Sequence, residues 1–419
     1  MIENYVFKKI KAGALQYVLV IAIIIAIVLL TFITLVNIQQ RLNLKHDAYK
    51  QTITNVNYSF DVLLKSTSKG DNTNTQFAEN SNEIYTTQQK KWGIFSLGII
   101  ESKIRNEFFK KVGLLGSSEK VRDRKALYLR DNNTSLILVG NSKIVGNVLL
   151  PKQGVKTGNI AGTSYYGGNR LIYGSSGTSR SIIPGIANFN DIKTLYNTFS
   201  DENSEDFEFV EGKIIVRSFS VPTYTYKASQ LDLKSITLEG NIIIRCSKKI
   251  RVKQSAILED VILIAPEIEI DPTVNGNFQV FASKSILVGK DCKLNYPTAL
   301  VLLNAKEESE DVAIEIDENT LIKGTVLYYK EQEKKISYLP QIKMNSNSKV
   351  VGEVYCKGNF ELLGTVYGSV YCNNFITNQF GSKYLNHIYN GIINVKQLPE
   401  EYVGLPIRST HKKVVKWLY

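Results

Sequence analysis

The feature that most limits what this chain can fold into is a six-residue pattern returning down its C-terminal half, each copy a short strand followed by the same kind of turn. In order the copies are ITLEGN from Ile236, IRVKQS from Ile250, IEIDPT from Ile268, ILVGKD from Ile286, IEIDEN from Ile314 and IKMNSN from Ile342. Those at Ile250, Ile268 and Ile286 are 18 residues apart. A unit this short cannot bury its own apolar face, so copies must stack and share one continuous core. The expected architecture is therefore mainly β: a β-solenoid, or β-helix, with short paired strands in each rung.

A second strand travels with the first: NIIIRC at Asn241, VILIAP at Val261, FQVFAS at Phe278, ALVLLN at Ala299, GTVLYY at Gly324, GEVYCK at Gly352 and GSVYCN at Gly368. Apolar residues alternate in the first set and crowd together in the second, the patterns of half-buried and more fully buried strands. A rung is thus expected to be two strands and a polar corner. ILVGNSKIVGNVLLP, Ile137 to Pro151, reads almost in register with IKMNSNSKVVGEVYC, Ile342 to Cys356, so solenoid-like structure is expected to begin before residue 150 and then be interrupted. A β-sandwich of short strands is the competing architecture, but it does not require the same corner residues at a fixed period.

The N-terminus carries the other strong signal. No charged residue stands between Ala12 and Gln40, and Leu15 to Val36 is mostly Ile, Val and Leu, long enough to cross a hydrocarbon core of roughly 30 Å. Residues 12–38 are expected to be a single transmembrane helix, preceded by a short basic cytoplasmic segment, 1–11, with Lys8, Lys9 and Lys11. A cleavable secretory signal would be shorter and closed by a small-x-small site. This topology predicts the cytoplasmic membrane of a bacterium, with the N-terminus inside and the bulk outside. Tyr49, Ile53, Val56, Phe60, Leu63 and Leu64 continue at helical spacing, giving an amphipathic extension over 39–66. Residues 67–91 are rich in Ser, Thr, Asn and Gln and read as a polar linker. Then come a mixed, mainly β region with Gly/Ser-rich loops over 92–230, the solenoid over 231–380 and a C-terminal segment over 381–419. WGIFSLGII from Trp92 reads as a strand or strand pair, and FFKKVGLLG from Phe108 as a short amphipathic element.

Chemistry-bearing constellations are scarce. The three histidines, His46, His387 and His411, have no partners at metal-ligand spacing, and no nucleophilic triad can be assembled. GSSGTS lacks the Lys and following helix of a phosphate loop. No catalytic residue, cofactor site or metal site is expected. Of the four cysteines, Cys356 and Cys372 both follow Val-Tyr, 16 residues apart, so successive rungs place them one above the other, as a disulfide or as stacked buried thiols. Asp271 and Asp317 occupy equivalent corners after IEI, where turn chemistry explains them better than calcium or sugar chemistry. Tyr355, Tyr367 and Tyr371 suggest an aromatic ladder on the outer face, suited to sugar rings or a partner strand, or a cover for the solenoid edge. The net charge of +12 permits anionic partners, but Lys and Arg are scattered, without a basic helix or an aromatic-interleaved basic strand, and no nucleic-acid partner is expected.

Two resemblances add to this. ELLGTVYGSVYCNNF, Glu361 to Phe375, with its G-x-V-x-G-x-V beat, resembles the bactofilins, polymer-forming bacterial proteins built as a compact β-helix. This chain differs in its length, its insertions such as Tyr328 to Pro340, and its long N-terminal part. KAGALQYVLVIAII from Lys11 resembles the start of a type IV pilin or pseudopilin: a short basic leader, Gly13 where a prepilin peptidase would cut before Ala14, an apolar stretch, and a helix continuing beyond the bilayer. Val18 stands where that family usually has Glu.

Together these readings predict a non-enzymatic, membrane-anchored envelope protein whose solenoid serves structure, assembly or adhesion, through self-association or envelope partners. A pilin-like subunit of a type IV pilus or secretion machine is one alternative, and a polysaccharide-binding or polysaccharide-lytic β-helix is another.

Overall fold

The computed structural model describes residues 13–66, 73–77, 83–187, 189–197, 205–304, 313–331, 338–407 and 411–418. The basic segment expected over 1–11, parts of the expected linker and much of the insertion after Tyr328 lie outside the described residues.

One unbroken helix, α1 (Gly13–Lys65), covers both the expected span and its extension. No Gly or Pro follows Gly13 within it, so nothing interrupts the hydrogen-bond ladder. The hydroxyls of Thr31 and Thr34 donate back to the carbonyls of Val28 and Thr31 at 2.7 and 2.8 Å, pairing these two hydroxyls within the helix. At the C-terminus the Ser66 hydroxyl donates to the Leu63 carbonyl at 2.8 Å, closing the last turn.

Five strands form one sheet in the order β1 (Thr73–Phe77), β2 (Glu83–Trp92), β3 (Phe95–Ile104), β4 (Glu107–Ser117) and β5 (Lys412–Trp417). Two-residue turns join β2 to β3 and β3 to β4, and their first residues, Gly93 and Arg105, take the left-handed backbone that tight hairpins need (φ 66° and 55°). The Trp92 segment is thus the expected strand pair. Part of the expected polar linker over 67–91 is strand instead: β2 carries an unbroken run of polar residues, Thr86 to Lys91, which composition alone reads as loop. The last strand, β5, returns antiparallel to β4, with Val414 opposite Leu115 and Trp417 opposite Gly113.

The chain divides into two compact units, Met1–Ser59 with Thr75–Thr86 and Glu101–Lys110, and Phe60–Asn74 with Thr87–Ile100 and Lys111–Tyr419. In the first, Tyr49 meets Phe109 edge-on at 6.3 Å and Lys45 reaches Glu107 at 3.7 Å.

In the second unit, everything between β4 and β5 is dominated by a β-solenoid of parallel strands. Its rungs have three strands, not two. The crowded strands form one ladder, in which Ile243, Ile262, Gln279, Ala299, Thr325, Glu353 and Ser369 are successive neighbours. The alternating strands form a second, in which Ile250, Ile268, Ile286, Ile314 and Ile342 stack in register. A third ladder runs through Leu258, Gly276, Leu294, Ile322, Val350 and Val366. ITLEGN belongs to this third ladder, since Thr237 pairs with Ile257, and the strand that stacks on Ile250 is that of Leu231. The apolar–polar alternation of ITLEGN is that of any half-buried strand, so it does not say which ladder the strand joins.

Isoleucine, valine and leucine fill the triangular interior as one continuous core. At four of the second-ladder corners the third residue after the strand turns left-handed: Thr273, Asp291, Asn319 and Asn347 all have φ between 58° and 66°. The corner letters are thus the residues that tolerate this backbone best, Asn and Asp, with one Thr.

The early unit Ile137–Pro151 is indeed a rung, but it does not precede the others in space. Tyr128 pairs with Tyr371, Ile144 with Ile393 and Ile137 with His387, so residues 125–178 extend the stack beyond the C-terminal rungs. Parallel ladders need matching edges and not chain order, which the sequence pattern cannot convey. From that end the chain runs back along the first ladder: the Ile182 carbonyl accepts from Tyr128, the Pro184 carbonyl from Tyr355, and Phe189 of α2 (Phe189–Asn197) packs on Tyr329 with ring centroids 3.7 Å apart.

Candidate functional site

The outward side of the first ladder forms a second core. Ile243, Ile262, Phe281, Val301, Leu327, Tyr355 and Tyr371 are buried beneath the β2–β3 hairpin, β4, a strap of residues 182–187, and α2. This explains why these strands crowd apolar residues: both faces are covered. The tyrosine ladder exists, with Tyr128, Tyr371 and Tyr355 at 6.3 Å intervals, but Tyr355 and Tyr371 are buried and their rings face no solvent. Tyr367 belongs to the third ladder and is half-buried. An outer aromatic ladder of all three is therefore corrected. Within this layer the buried Gln279 accepts from Ile94 N–H at 2.9 Å and donates to the Trp92 carbonyl at 3.2 Å, pairing the backbone of the Gly93 turn.

The last turns of α1 belong to this unit. Phe60 and Leu63 are buried, and Phe60 meets the Trp417 ring at 4.9 Å. Gly98 and Gly113 leave the room they need: a Cβ at Gly113 would lie 3.0 Å from Trp417 and 3.1 Å from Phe60. Before these turns, the apolar part of α1 is exposed from Leu15 to Ile38, and it is long and apolar enough to cross a membrane.

Entry to and exit from the solenoid lie side by side. Ser117 at the end of β4 bridges Gly404, and Ser118 N–H donates to the His411 carbonyl at 2.9 Å. The buried Arg124 donates to the carbonyls of Pro399, Glu400 and Tyr402 at 2.7, 2.8 and 3.3 Å, clamping the outgoing chain against the incoming one. Beside it the Glu353 carboxylate accepts from Leu405 N–H at 2.8 Å, and burial pushes this carboxyl up to about 7. Tyr402 donates to the Gly324 carbonyl at 3.1 Å. Arg124 and Glu353 were not legible in the sequence, because neither sits in a motif. The corner they seal was legible, as the G-x-V beat: Gly324, Gly352 and Gly368 have φ of 148°, 152° and 158°, and a Cβ at any of them would overlap the backbone oxygen one rung below.

Cys356 and Cys372 stack in register, both free and buried in this structure. Burial raises both, and holds Cys246 and Cys292 up at about 11, so all four are poor nucleophiles. Asp271 pairs with Arg251 at 2.7 Å and Lys253 at 3.5 Å, and Asp317 accepts from Asn345 at 3.2 Å. His387 is half-buried with Nδ1 2.7 Å from the Leu385 carbonyl, and burial lowers it. Among the described residues no three His, Cys, Asp or Glu side chains gather to hold a metal ion. Gly13 and Ala14 begin α1, and Gly13 has open space around it.

No protein-family model matches the chain, and no curated protein does. Among solved structures, the competence-associated pilin ComZ from Thermus thermophilus is similar over 84% of this chain and 86% of that one, at 9% sequence identity and a TM-score of 0.20. A likeness that distant assigns neither family nor role.

Proposed function

We propose that this chain is a non-catalytic assembly subunit of the bacterial cell envelope, laid out as a pilin-like protein whose head carries an inserted solenoid. The observation that supports this most is the closure of the sheet: β5 returns beside β4, so the whole solenoid enters and leaves at one point, Ser117–Gly404. Removing the insert in thought leaves a long helix docked by Phe60 and Leu63 on an antiparallel sheet. The exposed apolar stretch of α1 then serves first as membrane anchor, N-terminus inside, and afterwards as the packing surface of an assembly. Gly13 and Ala14 are the processing site in this reading.

The test is the N-terminal residue of the mature protein, measured by mass spectrometry of membranes from the native host. A chain starting at N-methylated Ala14, blocked by Gly13→Leu, is the expected result. An intact Met1 end overturns the pilin-like plan and leaves an uncleaved anchor carrying a solenoid.

A further inference from the structure

The three outer faces of the solenoid differ in what they leave free. The first is buried beneath the sheet and the strap. The second is charged but self-neutralised across rungs, through Lys249–Glu269, Arg251–Asp271, Lys284–Glu267 and Lys343–Glu315. The third carries Lys293, Lys323 and Lys349 on three successive rungs, all exposed, and among the described residues no carboxylate pairs with any of them. Lys293 and Lys349 share a column, two rungs or about 9.6 Å apart, and Lys323 stands on the rung between, two residues along the strand.

Around this stripe lie hydrogen-bonding and aromatic groups. Asn295 is exposed beside Lys293 and donates to Asn275 at 3.0 Å. Tyr367 follows Lys323 and Val351 in its column, half-buried.

We infer that the third face binds a linear acidic polysaccharide, lying along the stack with its carboxylates on the lysine stripe and its sugar rings against Asn295 and Tyr367. The alternate-rung spacing is close to the length of two linked sugars. Duplex DNA, with one charge per ~1.7 Å of axis, offers several charges for each lysine in the stripe and matches it poorly. This surface is separate from the corners of Asp271 and Asp317, whose carboxylates already meet cations or amides of the second face. Its occupation is independent of whether the N-terminus is processed.

The experiment measures binding of the full-length chain in detergent to immobilised polygalacturonate, to its methyl-esterified form and to a short DNA duplex. The variant Lys293→Gln/Lys323→Gln/Lys349→Gln is compared with Lys152→Gln/Lys248→Gln/Lys383→Gln, which removes the same charge from exposed sites elsewhere. Saturable binding to polygalacturonate is expected, weak for the ester, lowered about tenfold or more by the first variant and within about twofold by the second. Equal loss in both variants would make the attraction one of net charge and overturn the site. So would no binding, or duplex DNA bound more tightly than polygalacturonate through the same lysines. All six lysines are exposed, so matching melting temperatures are expected to show that both variants fold.

Discussion

At the scale of single residues, the sharpest demands come from the corner glycines. A side chain at Gly352 meets two penalties, the φ of 152° and the Gly324 carbonyl beneath it, whereas Gly154 has a φ of 69° with open space around it. Denaturant unfolding should therefore find Gly352→Ala destabilised by at least ~3 kcal/mol and Gly154→Ala by only ~1 kcal/mol. Glu353 makes a different prediction. Its carboxyl ionises near 4.5 when unfolded and near 7 when folded, so the folded state holds its proton more tightly. The stability this contributes is full below the lower value and is lost as pH rises through the higher one. A pH series of melting temperatures should show this decline in the parent and a flatter profile in Glu353→Gln, whose amide oxygen still accepts from Leu405.

At the scale of elements, the helix-to-sheet contact rests on few side chains. Replacing Phe60 by Ala empties a site walled by Gly98, Gly113 and Trp417 and should cost roughly 3 kcal/mol, while Tyr58→Ala, on an exposed position, should cost little. Hydrogen exchange should show the loss first in the backbone of Leu114 and Leu115. How well each element could be read from sequence follows its burial. The strands buried on both faces, such as Val261–Ile264, and the in-register isoleucines of the second ladder announced themselves by repetition. Rungs of the third ladder such as Lys293–Asn295 did not, because a single inward apolar residue, Leu294, stands between polar ones, a pattern indistinguishable from loop. β2 is not legible either, because Thr86 to Lys91 is polar throughout. Stacked Cys356 and Cys372 were legible from spacing alone, while the burial of Tyr355 and Tyr371 was not, since the strap that covers them comes from residues 182–187, far away in sequence.

At the scale of the whole molecule, the exposed apolar length of α1 should decide where the protein resides. Placing Arg at both Ile24 and Leu29, each more than half exposed, adds ~3 kcal/mol apiece at the centre of the span. Alkaline extraction of membranes should then release the double variant and retain the parent. The stack has its own consequence. Residues 125–178 leave the ribosome long before residues 365–394, yet Leu127 pairs with Val370 and Ile144 with Ile393. If the chain is made or exported from its N-terminus, these early strands can pair among themselves, but the rungs they dock on are missing until nearly all of it has emerged. Contacts of such long reach form slowly, so the first-made part of the solenoid is among the last to fold, and a guardian that shields unpaired strands during passage would act on this segment above all.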